Sequence, residues 1–440
     1  MRSELLVLSL PLLFACKDKD SDDTAGGDDT SAAACVEENG ACVLTGAILE
    51  DMTLTADKAW LLRSAVTVGD DSSDVTLTIE AGTTIYGESA TNGFLVISRG
   101  AKINAVGTAD APIVFTSDQA VGSRARGDWG GLALNGRAPI NACTDGATPC
   151  EAEGEGGTGV YGGDDPADSS GTLKYVRVEF GGTEISPDNE INGIGMQGVG
   201  SGTTVDYVQV HRNLDDGIEF FGGTVNVKHL LITAAADDGI DWDLGYQGKI
   251  QFAAVVQSSD AGNNGLETDN NEEDHTATPA SSPTVSNLTI IGSPDIAEDN
   301  FGFLMRRGSQ PEVYSVAIAG FSSACLALRD QATYDAFAAG DAMITSSALA
   351  CDAPYEDSDQ ETETGTEEGV YEADASNQLL SDLGLTSVNP SSPDLRPTSG
   401  SALLGAGTTP SNSFFTAVDY VGAFDASTDW TDGWTSFDAN

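Results

Sequence analysis

Positive charge is what this 440-residue chain has least of. Nineteen Lys and Arg stand against 69 Asp and Glu, and with three histidines the formal net charge is −50. That shortage excludes a nucleic-acid partner, because phosphate binding needs a basic footprint, and it argues against charge-driven adhesion to an anionic membrane. Scarce histidine and the lack of CxxC spacing also disfavour zinc. Strong acidity keeps a protein soluble and leaves cations, cationic polymers and neutral glycans as fitting partners. Long apolar runs are missing as well. The stretch from Leu5 to Phe14 is too short to span a bilayer as a helix. There is no EF-hand loop, calcium-binding nonapeptide, GxSxG elbow, Walker loop or HExxH.

What is present is a repeat. Residues 204–270 hold three copies of one pattern: a β-rich strand, a loop, an Asp-Asp or Asn-Asn pair, a Gly, then apolar–acid–apolar. The glycines are Gly217, Gly239 and Gly265, spaced by 22 and 26 residues. Looser copies flank them at Gly193 and Gly302, the second delayed by the polar insertion NEEDHTATPASSP. A period of this length with strands and no helical pattern predicts a parallel β-solenoid, with coils stacked roughly 4.8 Å apart.

In such a coil each side chain sits above its equivalent one turn away, and alternation separates inside from outside. Ile218, Ile240, Leu266 and Phe303 are expected to form one inward column, and Phe220, Trp242, Thr268 and Met305 another. The Gly after each pair is expected at a corner needing positive φ, with the preceding Asp or Asn hydrogen-bonding the turn. Glu219, Asp241 and Glu267 form the outward column. Carboxylates one coil apart repel by about 1 kcal/mol in water and roughly 3–4 kcal/mol at an effective dielectric of 20. Three readings of this wall stand open: solvation, calcium and catalysis. Calcium favours clustered hard oxygen ligands in loose geometry, and its candidate ligands are Asp216, Glu219, Asp238, Asp241, Asp243, Glu267 and Asp269.

Residues 1–16 read as a lipoprotein signal peptide. Leu13-Phe14-Ala15-Cys16 resembles a bacterial lipobox, which makes Cys16 the lipidated residue; an ordinary secretory peptide is the alternative. Residues 17–34 are an acidic, disordered tether. With Lys17 rather than Asp after the Cys, and acids soon after it, the expected location is the outer membrane, surface-exposed, with secretion or the periplasm as alternatives. Six further cysteines form local couples, Cys35 with Cys42, Cys143 with Cys150 and Cys325 with Cys351, and an even number in an exported chain points to disulfides. Residues 35–74 supply an N-terminal cap or the first coils. The β-helix is expected over 75–425, with insertions at 137–171, 270–283 and 352–369. Residues 426–440 are expected as a C-terminal cap, with Trp430, Trp434 and Phe437 folding back over the solenoid end. Residues 157–162 match GxGxxG, but no βαβ unit surrounds them and acids flank them, so a lip over one face fits better than a dinucleotide loop.

The segments LTIEAGTTIYG, RGDWGGL, GTLKYVRVEFGG, DDGIEFFGG and VDYVGAFDASTDWTDGWTSFD together resemble bacterial exported or surface right-handed parallel β-helix proteins, many of them lipoproteins. The likeness spans about residues 75–437. It implies an all-β, pectate-lyase-like superfold and no particular activity.

Two functions remain. The first is a lipid-anchored binding or structural, adhesion-like module at the cell surface, presenting an acidic, calcium-loaded face to glycans or neighbouring proteins. The second is a carbohydrate-active enzyme, a glycosidase or polysaccharide lyase, using Glu219, Asp241 and Glu267. Asp215-Asp216 resembles the polygalacturonase pair, but Gly-His-Gly and Arg-x-Lys are missing. A lyase base would have to be His211, Arg212, Lys228, Arg306 or Arg307, none of which carries a motif. The passive module is the preferred reading.

Overall fold

The computed structural model describes residues 35–143, 146–186, 189–296, 299–356 and 363–440. The signal peptide, Cys16 and the tether lie outside them, as does part of the acidic stretch at 352–369. The architecture is a right-handed parallel β-helix. Each coil crosses three parallel sheets. Long strands such as Thr204–His211, Asn226–Thr233, Lys249–Val256 and Thr284–Ile291 pass through the first sheet, bend, and continue through the second. Short strands, including Ile194–Gln197, Ile218–Phe221, Ile240–Asp243, Leu266–Thr268 and Phe301–Met305, stack as the third. The coil begins before residue 75, since Ala41–Ile48 already pairs in parallel with Ala59–Val68.

The bend between the first and second sheets is made by residues that carry side chains. Tyr207, His229, Phe252 and Asn287 have φ of 57°, 48°, 60° and 58°. Such a conformation is strained for bulky residues. Their rings offset it by stacking: Tyr175, Tyr207, His229 and Phe252 follow one another with centroids 4.5, 4.1 and 5.2 Å apart.

In the third sheet the register is the expected one. Ile218 pairs with Ile240, Ile240 with Leu266 and Leu266 with Phe303, while Phe220, Trp242, Thr268 and Met305 line up beside them, all buried. The glycines do their work differently from the expectation. Gly193, Gly217, Gly239, Gly265 and Gly302 are absent from the positive-φ residues. Space is what selects them. A Cβ on Gly239 would lie 2.5 Å from Val255 Cγ1 and 2.6 Å from the Gly265 carbonyl oxygen, and Gly217 and Gly265 meet equivalent obstacles, Ile232 with the Gly239 carbonyl and Ile290 with the Gly302 carbonyl.

The C-terminal region also departs from expectation. The last strand in the solenoid is Gln378–Leu379, and Leu385–Ser387 pairs antiparallel with Asp394–Pro397 instead of making a closing coil. The rest is a strap along the flank of the second sheet, not a lid over its end. Thr408 meets Ser315, Thr416 meets Gln251, Ser436 meets Gln209 and Asp438 meets His211, so the strap descends past successive coils. The physical reason is the outer face of the second sheet. Leu231, Ala254, Val256, Ile291 and Ala317 point outward there, and Leu403, Val421 and Phe424 bury them. Trp434 packs edge-on against Tyr175 and Tyr207, and Trp430 against His229. Two short helices, Gln331–Ala339 and Glu367–Tyr371, lie near the C-terminal coils. All three cysteine couples are bonded, with Cα atoms 5.3–5.6 Å apart.

Candidate functional site

The acids of the third sheet stand in parallel register, Glu219 beside Asp241 and Asp241 beside Glu267. Alternation turns them away from the core, yet they are more than half buried. Next to them runs a column of corner residues that ties coil to coil. Asp216 Oδ1 accepts from the Asp238 N–H at 2.9 Å, Asp238 Oδ1 from the Asn264 N–H at 2.5 Å, and Asn264 Oδ1 from the Phe301 N–H at 3.2 Å. The corner device is therefore real but acts on the following coil rather than on its own turn.

These two columns converge. Ligand atoms of Asp215, Asp216 and Asp237 lie within 4.8 Å of one another, as do those of Asp216, Glu219 and Asp241, and those of Asp238, Asp241 and Glu267. Five of the seven expected calcium ligands are thus brought together. The other two are placed apart. Asp269 is paired with Arg306 and Arg307, at 2.8 and 2.7 Å. Asp243 belongs to none of the three groups; its Oδ1 is buried without a hydrogen-bond partner, beside a cleft of about 250 Å³ that Asp269, Asn271 and Arg307 also line.

Burial and mutual repulsion act in one direction on these groups. Burial first, and then neighbouring carboxylates, hold Asp216, Glu219, Asp238, Asp241 and Asp243 well above the usual carboxylate range. Asp215 is pushed up to about 7 by burial, then by Asp237 and Glu155. Glu267 is raised by burial while Arg306, which it contacts directly, opposes the shift. Arg306 marks the lower end of the acid column.

Several participants lie outside the expected ligand set. The insertion at 137–171 contains a hairpin, Cys150–Gly154 against Gly159–Gly163, with no helix following the GxGxxG among the described residues. Its Tyr161 packs on Phe221, 6.3 Å between ring centroids. The hairpin brings Glu155 to the acids, where burial and then Glu190 raise it to about 7. Asn192 places its Nδ2 2.5 Å from Glu219 Oε2, and Asn264 donates to Glu267 Oε2 at 3.0 Å. Asp215 and Asp237 were visible as first members of the acid pairs; Glu155 sits where the period is broken.

The candidate lyase bases are engaged elsewhere. His211 is buried between Thr233 and the Asp438 carbonyl, Arg212 holds Asp260, and Lys228 reaches Thr416 over the Phe414 ring. Arg306 and Arg307 are in ion pairs with Glu267 and Asp269. A larger cleft, about 820 Å³, lies between the two helices near Phe337 and Val370, and none of the column's acids lines it.

Residues 46–386 match the family model described as Pectate-lyase like beta helix domain. The chain belongs to that family. The match begins in the early coils and ends at residue 386, before the strap residues Leu403, Val421 and Phe424. No curated protein and no solved structure matches the chain. The pectate-lyase-like fold is compatible with surface and with enzymatic roles.

Proposed function

We propose that this β-helix is an exported binding module, tethered to the outer membrane through a lipid on Cys16, whose acidic face is loaded with calcium and presented to glycans or neighbouring surface proteins. One observation carries the reading: three overlapping groups of carboxylates have ligand atoms within 4.8 Å. Among the described residues Arg306 is the cation in direct contact with the column, at its lower end, on Glu267. Like charges this close and this buried need either protons or a cation, and at neutral pH calcium satisfies hard oxygen ligands in irregular geometry. The mechanism is passive: the coil fixes the acids, the ions bridge them, and the neutralised face meets its partner.

The test is thermal melting of the chelator-treated protein during calcium titration. A ligand bound only by the folded state at 100 times its Kd stabilises by about 2.7 kcal/mol, so the melting temperature should rise. An unchanged melting temperature at millimolar calcium contradicts the reading.

A second reading draws on the same clustering of carboxylates. Burial and neighbouring acids push Asp215 and Glu155 up to about 7, toward the range where a carboxyl can both give and take a proton. This is the carbohydrate-active enzyme using Glu219, Asp241 and Glu267. Release of reducing ends or unsaturated products from acidic or neutral polysaccharides, abolished by Asp241→Asn, would establish it over the passive module.

A further inference from the structure

We infer that the acid column holds a pair of calcium ions one coil apart, bridged by the Asp241 carboxylate. This rests on the calcium reading above and goes further in number, place and ligand set.

The geometry begins with reach. Calcium sits about 2.3–2.6 Å from its oxygen ligands, so two oxygens on one ion are at most about 5 Å apart. The group Asp216, Glu219 and Asp241 fits within that span, and so does the group Asp238, Asp241 and Glu267. Asp241 belongs to both. Its two neighbours in register are Glu219 on one side and Glu267 on the other, so an ion in each gap shares it. Carboxylate-bridged ion pairs at about 3.5–4 Å are a recurring arrangement, and a coil spacing of about 4.8 Å accommodates one with little adjustment.

A second observation, independent of the acids, points to the upper ion. Asn192 is 3 % exposed, and its Oδ1 is buried with no hydrogen-bond partner. Its Nδ2 lies 2.5 Å from Glu219 Oε2, which puts the amide head inside the upper group. A buried amide oxygen without a partner is uncommon, and amide oxygens are ligands that calcium accepts. The two ends of the pair are also set. Below, the Arg306 guanidinium occupies the space between Glu267 and Asp269 and supplies the positive charge there. Beside the upper group, Asp215 and Asp237 gather around Asp216, and Asp216 Oδ1 is already held by the Asp238 N–H.

Calcium titration calorimetry and native mass spectrometry on the full-length, chelator-stripped protein test this. Two ions per chain are expected. Glu219→Gln should remove the upper ion and Glu267→Gln the lower, each leaving one, while Asp241→Asn should weaken both at least tenfold. Melting of each variant in chelator, at or above the wild-type temperature, verifies that the fold is kept. One ion per chain in the wild type, or one tight ion surviving Asp241→Asn, overturns the bridged pair and leaves the calcium-loaded module standing. No bound calcium removes both.

Discussion

Two outward faces of the same coil have met opposite problems. In the second sheet the outward positions carry Leu231, Ala254, Val256, Ile291 and Ala317, and a strap from the far end of the chain keeps them dry. In the third sheet they carry Glu219, Asp241 and Glu267, under partial cover from a hairpin at 150–163. The apolar face is completed by the chain itself. The acidic face is not: among the described residues the cation in contact with the column is Arg306, at Glu267, and the acids of the coils above it stand against one another. A solenoid repeats whatever a position holds, so a favourable choice and an unfavourable one are both multiplied from coil to coil. One face thus gathers hydrophobic burial, and the other gathers carboxylates that need protons or a cation to sit so close together.

The comparison breaks most visibly at the strap. Trp434→Ala removes a ring that is 1 % exposed and packed on Tyr175 and Tyr207. It should cost about 3–5 kcal/mol in chemical denaturation, whereas neutralising an acid of the third sheet should cost nothing in the absence of calcium. The strap should also make stability depend on acid. His211 is buried against Asp438, with Arg212 and Arg126 nearby, and burial lowers it to about 4 from an ordinary value near 6.5. The unfolded chain therefore takes up the proton first. The contribution of His211 is full above pH 6.5 and declines as pH falls toward 4, by up to about 3 kcal/mol, opposite in sign to that of the raised carboxylates. Denaturation midpoints of His211→Gln against wild type should converge across that window. A smaller effect is expected at the corner shared by both sheets. Gly239→Ala should destabilise by about 1–3 kcal/mol, because its methyl group would collide with Val255 and the Gly265 carbonyl.

These regions also differ in how far they could be read from the sequence. The third sheet was legible because its partners are the same residue types about 22–26 residues away, and the parallel register follows from the period. Ile218 over Ile240 and Phe220 over Trp242 needed no knowledge of anything distant. The strap was not legible in this way. Gln209 meets Ser436 across 227 residues, and nothing periodic announces that contact. The aromatic ladder was hidden for another reason. Tyr175, Tyr207, His229 and Phe252 occupy one structural column, but their ring types vary and their backbone is left-handed, which a strand pattern does not foresee. The glycine column was seen for its position and given the wrong cause, since sequence shows that a residue is small without showing what stands beside it. In the acid cluster the repeat supplied Asp216, Glu219, Asp238, Asp241 and Glu267, and Asn192 stands before Gly193 in a looser copy, while Glu155 came from the insertion that breaks the period.

The most direct test of the central claim is the melting temperature of a Glu219→Gln, Asp241→Asn, Glu267→Gln variant beside wild type, each with chelator and with millimolar calcium. If the acid column is a charge the fold cannot balance alone, the variant melts higher than wild type in chelator, by roughly 2–6 °C, and calcium leaves it unmoved while raising wild type. A variant that melts lower than wild type in chelator, or that responds to calcium as wild type does, contradicts the account.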